Sequence, residues 1–255
     1  MLDAHPDVSC QGEGLFLNRL AVPLDGVIAD WRHALDEKNN AIFGHTGGYP
    51  LPGPEDAEIL TGTAILLALH RQSAGKGAAA IGEKTPENVF FFPRLRRIFP
   101  GAKFIAIARD PRDVLTSAWH FFHKPAPGED EAAAKLSFVR NALPSLTDGV
   151  REMLGFARAH PAETAIITYE GLQRDQSAIL ARLFRHLGVS DRGGIVADCI
   201  ARTEFATLTG GRKPGVEERG SFFRKGVVGD WRSTLTPEIG DLVLREAGWM
   251  FPQVG

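Results

Sequence analysis

Four short clusters in this sequence combine basic, hydroxyl and acidic residues in patterns suited to binding an anion. In 102–119 (AKFIAIARDPRDVLTSAW), Arg109 follows a short apolar run and Ser117 lies eight residues further on. Placed at a strand end and on the helix after it, the two could clamp a phosphate or sulfate; the plain alternative is a surface arginine and an ordinary helix serine. In Gly82-Glu83-Lys84-Thr85-Pro86, a lysine sits where a strand would give way to a helix N-terminus, either holding an oxyanion or solvated beside a cap. Thr168-Tyr169-Glu170 offers a tyrosine that either stacks on a base or packs in the core. In FFRKGVVGDW (222–231), Arg224 and Lys225 before Gly226 can grip a phosphate with side chains and backbone together.

These clusters need strand ends and helix starts to hold them. The run 103–108 (KFIAIA) is nearly all apolar, which predicts a strand covered on both faces. Asp110 can cap the next helix, Pro111 suits its first position, and Asp113 stands at the capping-box position. Further strands are expected at 78–82 and 163–168, and an extended or turn segment at 8–14. Helices are expected at 15–39 with a break near Pro23, 55–72, 85–99, 111–123, 132–160 with a break near Pro144, 169–187, 193–202 and 236–247. Val27, Ile28, Trp31 and Leu35, then Ile59, Leu60, Ile65, Leu66 and Leu69, form the apolar sides of the first two helices. Loops rich in Gly, Pro or charge are expected at 44–54, 124–131 and 207–225. Strands alternating with helices argue for a doubly wound α/β domain with a parallel sheet, although three clear strands are few for this length.

The 255 residues are 44% hydrophobic and 24% charged, ordinary for one large soluble domain with a full core. A net charge of -2 argues against general nucleic-acid binding, so an anion site must come from local clustering. Two cysteines, Cys10 and Cys199, give no disulfide framework and make the cytoplasm the default. No run approaches a membrane span, no signal peptide is visible, and no His or Cys cluster has metal-ligand spacing. His120 and His123 read as packing or surface residues.

In order and spacing, 82–86, 109–117, 169–170 and 222–232 resemble the cofactor signature of sulfotransferases that use 3′-phosphoadenosine 5′-phosphosulfate (PAPS). FFRKGVVGDWR is the most specific segment, and the resemblance runs from Met1 to about Trp231. It implies a P-loop-NTPase-like fold: a doubly wound parallel sheet with helices on both faces, forming a single sulfotransferase domain over 1–255. By resemblance, Arg109, Ser117, Arg224, Lys225 and Gly226 contact the 3′-phosphate of the nucleotide. Tyr169 matches the adenine-side tyrosine, and Thr203 and Phe205, in RTEF, flank the adenine. The N-terminal LDAHPDVSCQGEG is most similar to the branch containing tyrosylprotein sulfotransferases and many bacterial members. There a Gly-Glu pair supplies the base, and Glu13 is its match. Lys84 matches the lysine on the transferring sulfuryl group, and Glu83 is a second candidate base. Glu13 as a solvated loop acid is the alternative.

One family hallmark lacks a counterpart. A first strand and a Pro-x-Ser-Gly-Thr-Thr loop, which cradles the 5′-phosphosulfate, precede the Leu-Asp-Ala-His-Pro segment in relatives, whereas here Met1 stands directly before it. The basic, Gly-rich 73–77 precedes a strand and so has the wrong context. Two readings follow: a protein whose N-terminal segment lies upstream of Met1, or a chain that is truly short and binds cofactor poorly. The expected reaction is sulfuryl transfer from PAPS to a hydroxyl or amine of a small-molecule or peptide acceptor, with no metal. The alternative is a catalytically silent nucleotide-binding member. A P-loop kinase is disfavoured because no Gly-x-x-x-x-Gly-Lys-Ser/Thr occurs. The segment 232–241 loosely resembles the family's dimer motif, implying a possible homodimer.

Overall fold

The computed structural model describes residues 1–44, 46–124, 126–218, 221 and 223–251. Phe222 of the FFRKGVVGDWR motif, and His45, Pro125, Arg219 and Gly220 of the expected loops, lie outside the described residues. The chain divides into two compact units, 6–102 and 1–5 with 103–255.

In the unit 6–102, strand β1 (Val8–Cys10) pairs in parallel with β2 (Ala80–Gly82), Cys10 opposite Gly82. Between them run helices α1 (Val22–Phe43) and α2 (Pro54–Gln72). The expected break at Pro23 is absent. A π-helical stretch, Leu17–Ala21, runs straight into α1 just before the proline, so the chain changes helix type there and stays helical. The apolar stripe is also narrower than expected. Ile28 is buried on α1, and Ala57, Thr61, Gly62 and Ile65 on α2, while Val27, Trp31, Ile59, Leu60 and Leu66 are exposed. Small residues one turn apart take the close contacts, so the larger neighbours are displaced outward: a Cβ on Gly62 would stand 2.8 Å from Ile98. Helix α3 (Phe92–Ile98) follows a 3₁₀ segment, Pro86–Phe91, in place of the single helix expected over 85–99; Pro93, in the first turn of α3, starts the new segment.

In the other unit, β3 (Phe104–Ala108) leads into α4 (Pro111–Phe122), the 29-residue α5 (Glu131–Ala159) and β4 (Thr164–Thr168). β3 and β4 are parallel, with Ala108 opposite Thr168. β3 is covered on one face only: Phe104, Ala106 and Ala108 are buried and Ile107 is exposed. Pro144 does not break α5. The proline costs about 3 kcal/mol, but each of Val139, Leu143, Val150, Met153 and Phe156 gains roughly 1.5–3 kcal/mol by burial. Thr147 Oγ1 donates to the Pro144 carbonyl at 2.8 Å. Next come α6 (Tyr169–Arg174) and α7 (Gln176–Leu187), two helices where one was expected, because Asp175 caps the second through Ala178 N at 2.9 Å. α8 (Gly193–Arg202), α9 (Phe205–Leu208), α10 (Trp231–Thr234) and α11 (Pro237–Ala247) complete the unit. The 3₁₀ turn Leu2–Ala4 belongs here: His5 is fully buried, bonds the Ser190 carbonyl at 2.8 Å and meets Phe184 edge-on.

Candidate functional site

Each unit carries its cluster just past the carboxyl ends of a parallel strand pair, the place where ligands bind in open α/β sheets. In the unit 6–102 the β1–β2 register sets the turn after Cys10 beside the segment after Gly82. Lys84 N donates to the Gly12 carbonyl at 3.2 Å. The Lys84 ammonium forms an ion pair with Glu13, and both side chains are well exposed. Such a pair adds at most about 1 kcal/mol to stability, so its importance is chemical. The structure therefore joins the two residues expected to act on the sulfuryl group. Glu83 turns to the backbone: its Oε2 accepts from Gly14 N at 3.1 Å and from Thr85 Oγ1 at 2.8 Å, and Asn88 Nδ2 donates to its Oε1. Leu15 N donates to Thr85 Oγ1 at 3.3 Å. Leu15 is left-handed, with φ +52°, the one non-glycine at positive φ among the described residues. That conformation costs about 1–3 kcal/mol and persists only where its surroundings enforce it.

In the other unit the β3–β4 register places Arg109 and Tyr169, the residues following paired Ala108 and Thr168, side by side. The Arg109 guanidinium lies over the Tyr169 ring, 4.3 Å from its centroid. Burial pushes the Tyr169 phenol above its usual range, only partly offset by the Arg109 charge. Glu170 accepts from Asp110 N at 3.0 Å and so ties the start of α4 to the end of β4. Asp110 caps α4 as expected, through Arg112 N at 2.9 Å.

Asp113 does something the sequence did not suggest. Its carboxylate, with no exposed surface, accepts from Gly229 N at 2.6 Å and from Trp231 N at 3.1 Å. The expected capping-box role is therefore not found. The GDW segment competes for the carboxylate with two N–H groups and wins, and α4 is capped by Asp110 alone. Arg109 completes the attachment: Nη2 donates to the Val227 carbonyl at 3.1 Å and stands 3.8 Å from Asp113. The 224–231 loop is thus fastened to α4, the helix that carries Ser117.

Arg224 and Lys225 are paired internally. Asp230 accepts from the Arg224 guanidinium and from Lys225 Nζ, the latter at 2.7 Å, and Glu217 accepts from Arg224 Nη1 at 3.1 Å. Burial works against the charged form of Asp230, but its bonds to Arg224 and Lys225 outweigh it and hold the carboxyl below its usual range. Glu217 shows the same balance. His120, one turn beyond Ser117, is pushed down by burial first and then by the Arg224 charge, which places it near this group. Gly226 has φ +65°, and a Cβ there would stand 2.5 Å from the Phe205 ring, so glycine is required twice over. Phe205 is thereby brought to the RKG loop. Thr203 instead ends α8, its hydroxyl donating to the Cys199 carbonyl at 2.7 Å.

Glu217 and Asp230 were missed from sequence as partners of the loop cations, and Asp113 was read only as a capping residue. Asp113 left one usable signal, its position four residues after Arg109 and four before Ser117 on one helical face.

Comparison with known proteins gives this arrangement its context. Cytosolic sulfotransferase 17 of Arabidopsis thaliana is 30% identical over 160 residues, covering 54% of this chain and 46% of that protein. Cytosolic sulfotransferase 16 of the same plant is 28% identical, covering 54% and 47%. The chain spans about half the length of these curated relatives. Among solved structures, retinol dehydratase in complex with androsterone and inactive cofactor PAP is similar at a TM-score of 0.51 and 16% identity, over 96% of this chain and 83% of that one. The fold is the P-loop-like α/β fold expected from the sequence. A family model described as the sulfotransferase family matches residues 1–192, three quarters of the chain, and the chain belongs to that family.

Proposed function

We propose that this chain acts as one sulfotransferase domain over 1–255. It moves a sulfuryl group from PAPS to a hydroxyl or amine of a small-molecule or peptide acceptor and releases adenosine 3′,5′-bisphosphate. The observation carrying this reading is the fastening of the RKG loop to α4 through Asp113 and Arg109, which brings Arg109 to the loop that carries Arg224, Lys225 and Gly226. The fit to a nucleotide phosphate rests on its donors. Arg109 Nε and Arg224 Nε are both buried with no hydrogen-bond partner among the described residues. Retinol dehydratase, the similar solved structure, is described in complex with PAP, in keeping with this choice of nucleotide.

In this reading Arg109, Ser117, Arg224, Lys225 and the Gly226 backbone hold the 3′-phosphate, which separates PAPS from ATP-like nucleotides. Phe205 and Thr203 flank the adenine, with Tyr169 on its far side carrying Arg109. Glu13 takes the proton from the acceptor as its oxygen or nitrogen bonds to sulfur and the bond from sulfur to the bridging phosphate oxygen breaks. Lys84 stabilises charge on the sulfuryl and leaving oxygens. Release of Lys84 from Glu13 accompanies that role, since one ammonium serves both. We place the protein in the cytoplasm, in keeping with the cytosolic relatives; the loose match of 232–241 to the family's dimer motif is the ground for a possible homodimer.

Calorimetry with adenosine 3′,5′-bisphosphate and with ADP tests the nucleotide. A preference for the bisphosphate is expected, and a preference for ADP refutes the reading. Transfer of radiolabelled sulfuryl from PAPS to a panel of phenols, alcohols and amines tests the reaction. Tight bisphosphate binding without transfer would replace it by a silent nucleotide-binding role.

A further inference from the structure

Glu13 sits in a turn that is held from both sides. Before it, the Gly12 carbonyl accepts from Lys84 N. After it, Gly14 N donates to Glu83 and Leu15 N to Thr85 Oγ1, while Thr85 Oγ1 itself donates to Glu83. Asn88 fixes the other Glu83 oxygen. Both carboxylate oxygens of Glu83 thus accept from N–H or O–H donors. The turn these bonds hold is conformationally costly at Leu15, whose φ is +52°, while Gly12 takes its φ of +51° freely. A turn of this kind relaxes when its restraints are cut, and Glu13 moves with it.

We propose that Glu83 is a positioning residue: its carboxylate, together with Thr85, holds the 12–15 turn in its left-handed form and so sets Glu13 against Lys84. This rests on the reading of Glu13 as base and Lys84 as sulfuryl ligand, and it removes Glu83 as a rival base. The carboxylate already accepts from three donors, which leaves about one lone pair to take a proton and makes it the poorer proton acceptor beside the exposed Glu13.

The test uses Glu83→Gln, Glu83→Ala and Glu13→Gln in the full chain, with two readouts. The first is amide hydrogen exchange at Gly14 and Leu15. Glu83→Ala should speed Gly14 exchange at least tenfold. Glu83→Gln, whose amide oxygen can still accept from Gly14 and Thr85 while Asn88 turns its own oxygen to the new NH₂, should leave it within about threefold. The second is the rate of sulfuryl transfer against pH. Glu83→Gln should retain transfer within about fivefold and keep the acid limb of the profile. Glu83→Ala should lower kcat ten- to a hundredfold with KM for PAPS little changed, and Glu13→Gln should lose a hundredfold or more together with the acid limb. Loss of the acid limb in Glu83→Gln would make Glu83 the base and overturn the proposal. Unchanged Gly14 exchange in Glu83→Ala would overturn it equally. Should that variant not fold, Glu83→Asp, one methylene shorter, gives the same exchange readout. Absence of transfer in the unmodified chain would sink the proposed function, and the exchange arm would still decide the role of Glu83.

Discussion

Replacing Asp113 by alanine should be among the most damaging single changes in the unit that contains it. The carboxylate is fully covered and takes two backbone N–H groups, from Gly229 at 2.6 Å and Trp231 at 3.1 Å. A hydrogen bond to a charged group is worth about 1.5–3 kcal/mol, and removing a buried charged partner typically costs about 3–5 kcal/mol because the donors stay buried. Against a whole-domain stability of about 5–15 kcal/mol that is a large fraction, and it lowers the melting temperature by roughly 6–20 °C. Asparagine should be intermediate, at about 2–3 kcal/mol, since its oxygen can serve one N–H while its NH₂ faces the other donor. The control is Asp148→Ala. That residue pairs with Arg151 at 2.7 Å with both side chains more than half exposed, and its loss should cost under about 0.5 kcal/mol. Urea unfolding followed by tryptophan fluorescence gives the free energies, and hydrogen exchange at Gly229 and Trp231 gives the local effect. Asp113→Ala within about 0.5 kcal/mol of the unmodified protein, with those two amides exchanging no faster, would refute the reasoning. The same variant should bind adenosine 3′,5′-bisphosphate weakly even under conditions where it is folded, because the RKG loop has lost its attachment to α4.

Arg109→Ala should abolish bisphosphate binding in calorimetry; intact affinity would remove the central residue of the proposed phosphate grip. Glu217→Gln should strengthen that binding, about three- to tenfold at low salt, because Arg224 then loses a competing anion; an unchanged or weaker affinity shows that Glu217 does not compete. Gly226→Ala should destabilise the loop and weaken the bisphosphate, since the added methyl meets the Phe205 ring and φ is +65°; a near-native affinity would dissociate the loop's shape from binding. His120 is held below the usual imidazole range by burial and Arg224, with Lys135 adding to this and Glu217 and Asp230 opposing it. The unfolded chain therefore binds this proton more readily. The contribution of His120 to stability is fully present above about pH 6.5 and is lost as pH falls through the lower folded value. Urea midpoints at pH 7.5 and 5.5 should converge in His120→Gln relative to the unmodified protein, and an equal pH dependence in both would refute this.

Local features were the most legible. The β3 and β4 strands, the Asp110 cap and the starts of α4, α8 and α11 follow from apolar runs and cap residues that act over one turn. β1 was harder to read because three residues are too few for periodicity, and its partner β2 lies seventy residues away. The two prolines misled for one reason: a proline was read as a break, yet at Pro23 the chain changes from π- to α-helix without leaving the helix and Pro144 is outweighed by the buried face of α5. The apolar side of α2 was misread because hydrophobicity ranks Ile59 and Leu66 above Ala57 and Gly62, whereas close helix packing selects the small residues.

The acids at the site were the hardest to read, and the reason extends beyond this chain. A sequence displays cations that suit a phosphate, and Arg109, Arg224 and Lys225 stood out on that basis. It does not display which carboxylates those cations already hold. Asp230 and Glu217 neutralise Arg224 and Lys225, and Asp113 stands beside Arg109, so the grip is close to electrically balanced. On the proposed function, a phosphate arriving there exchanges partners and does not simply meet free charge. Its net gain is the difference between two sets of charge-assisted hydrogen bonds, a few kcal/mol at most. In the proposed function, discrimination between nucleotides then rests on geometry: Asp113 cannot leave without releasing two backbone N–H groups, whereas Glu217, exposed at the loop edge, can move aside at little cost. Glu217 is therefore the partner that yields, and Asp113 and Asp230 are the ones that keep the cations aimed while it does.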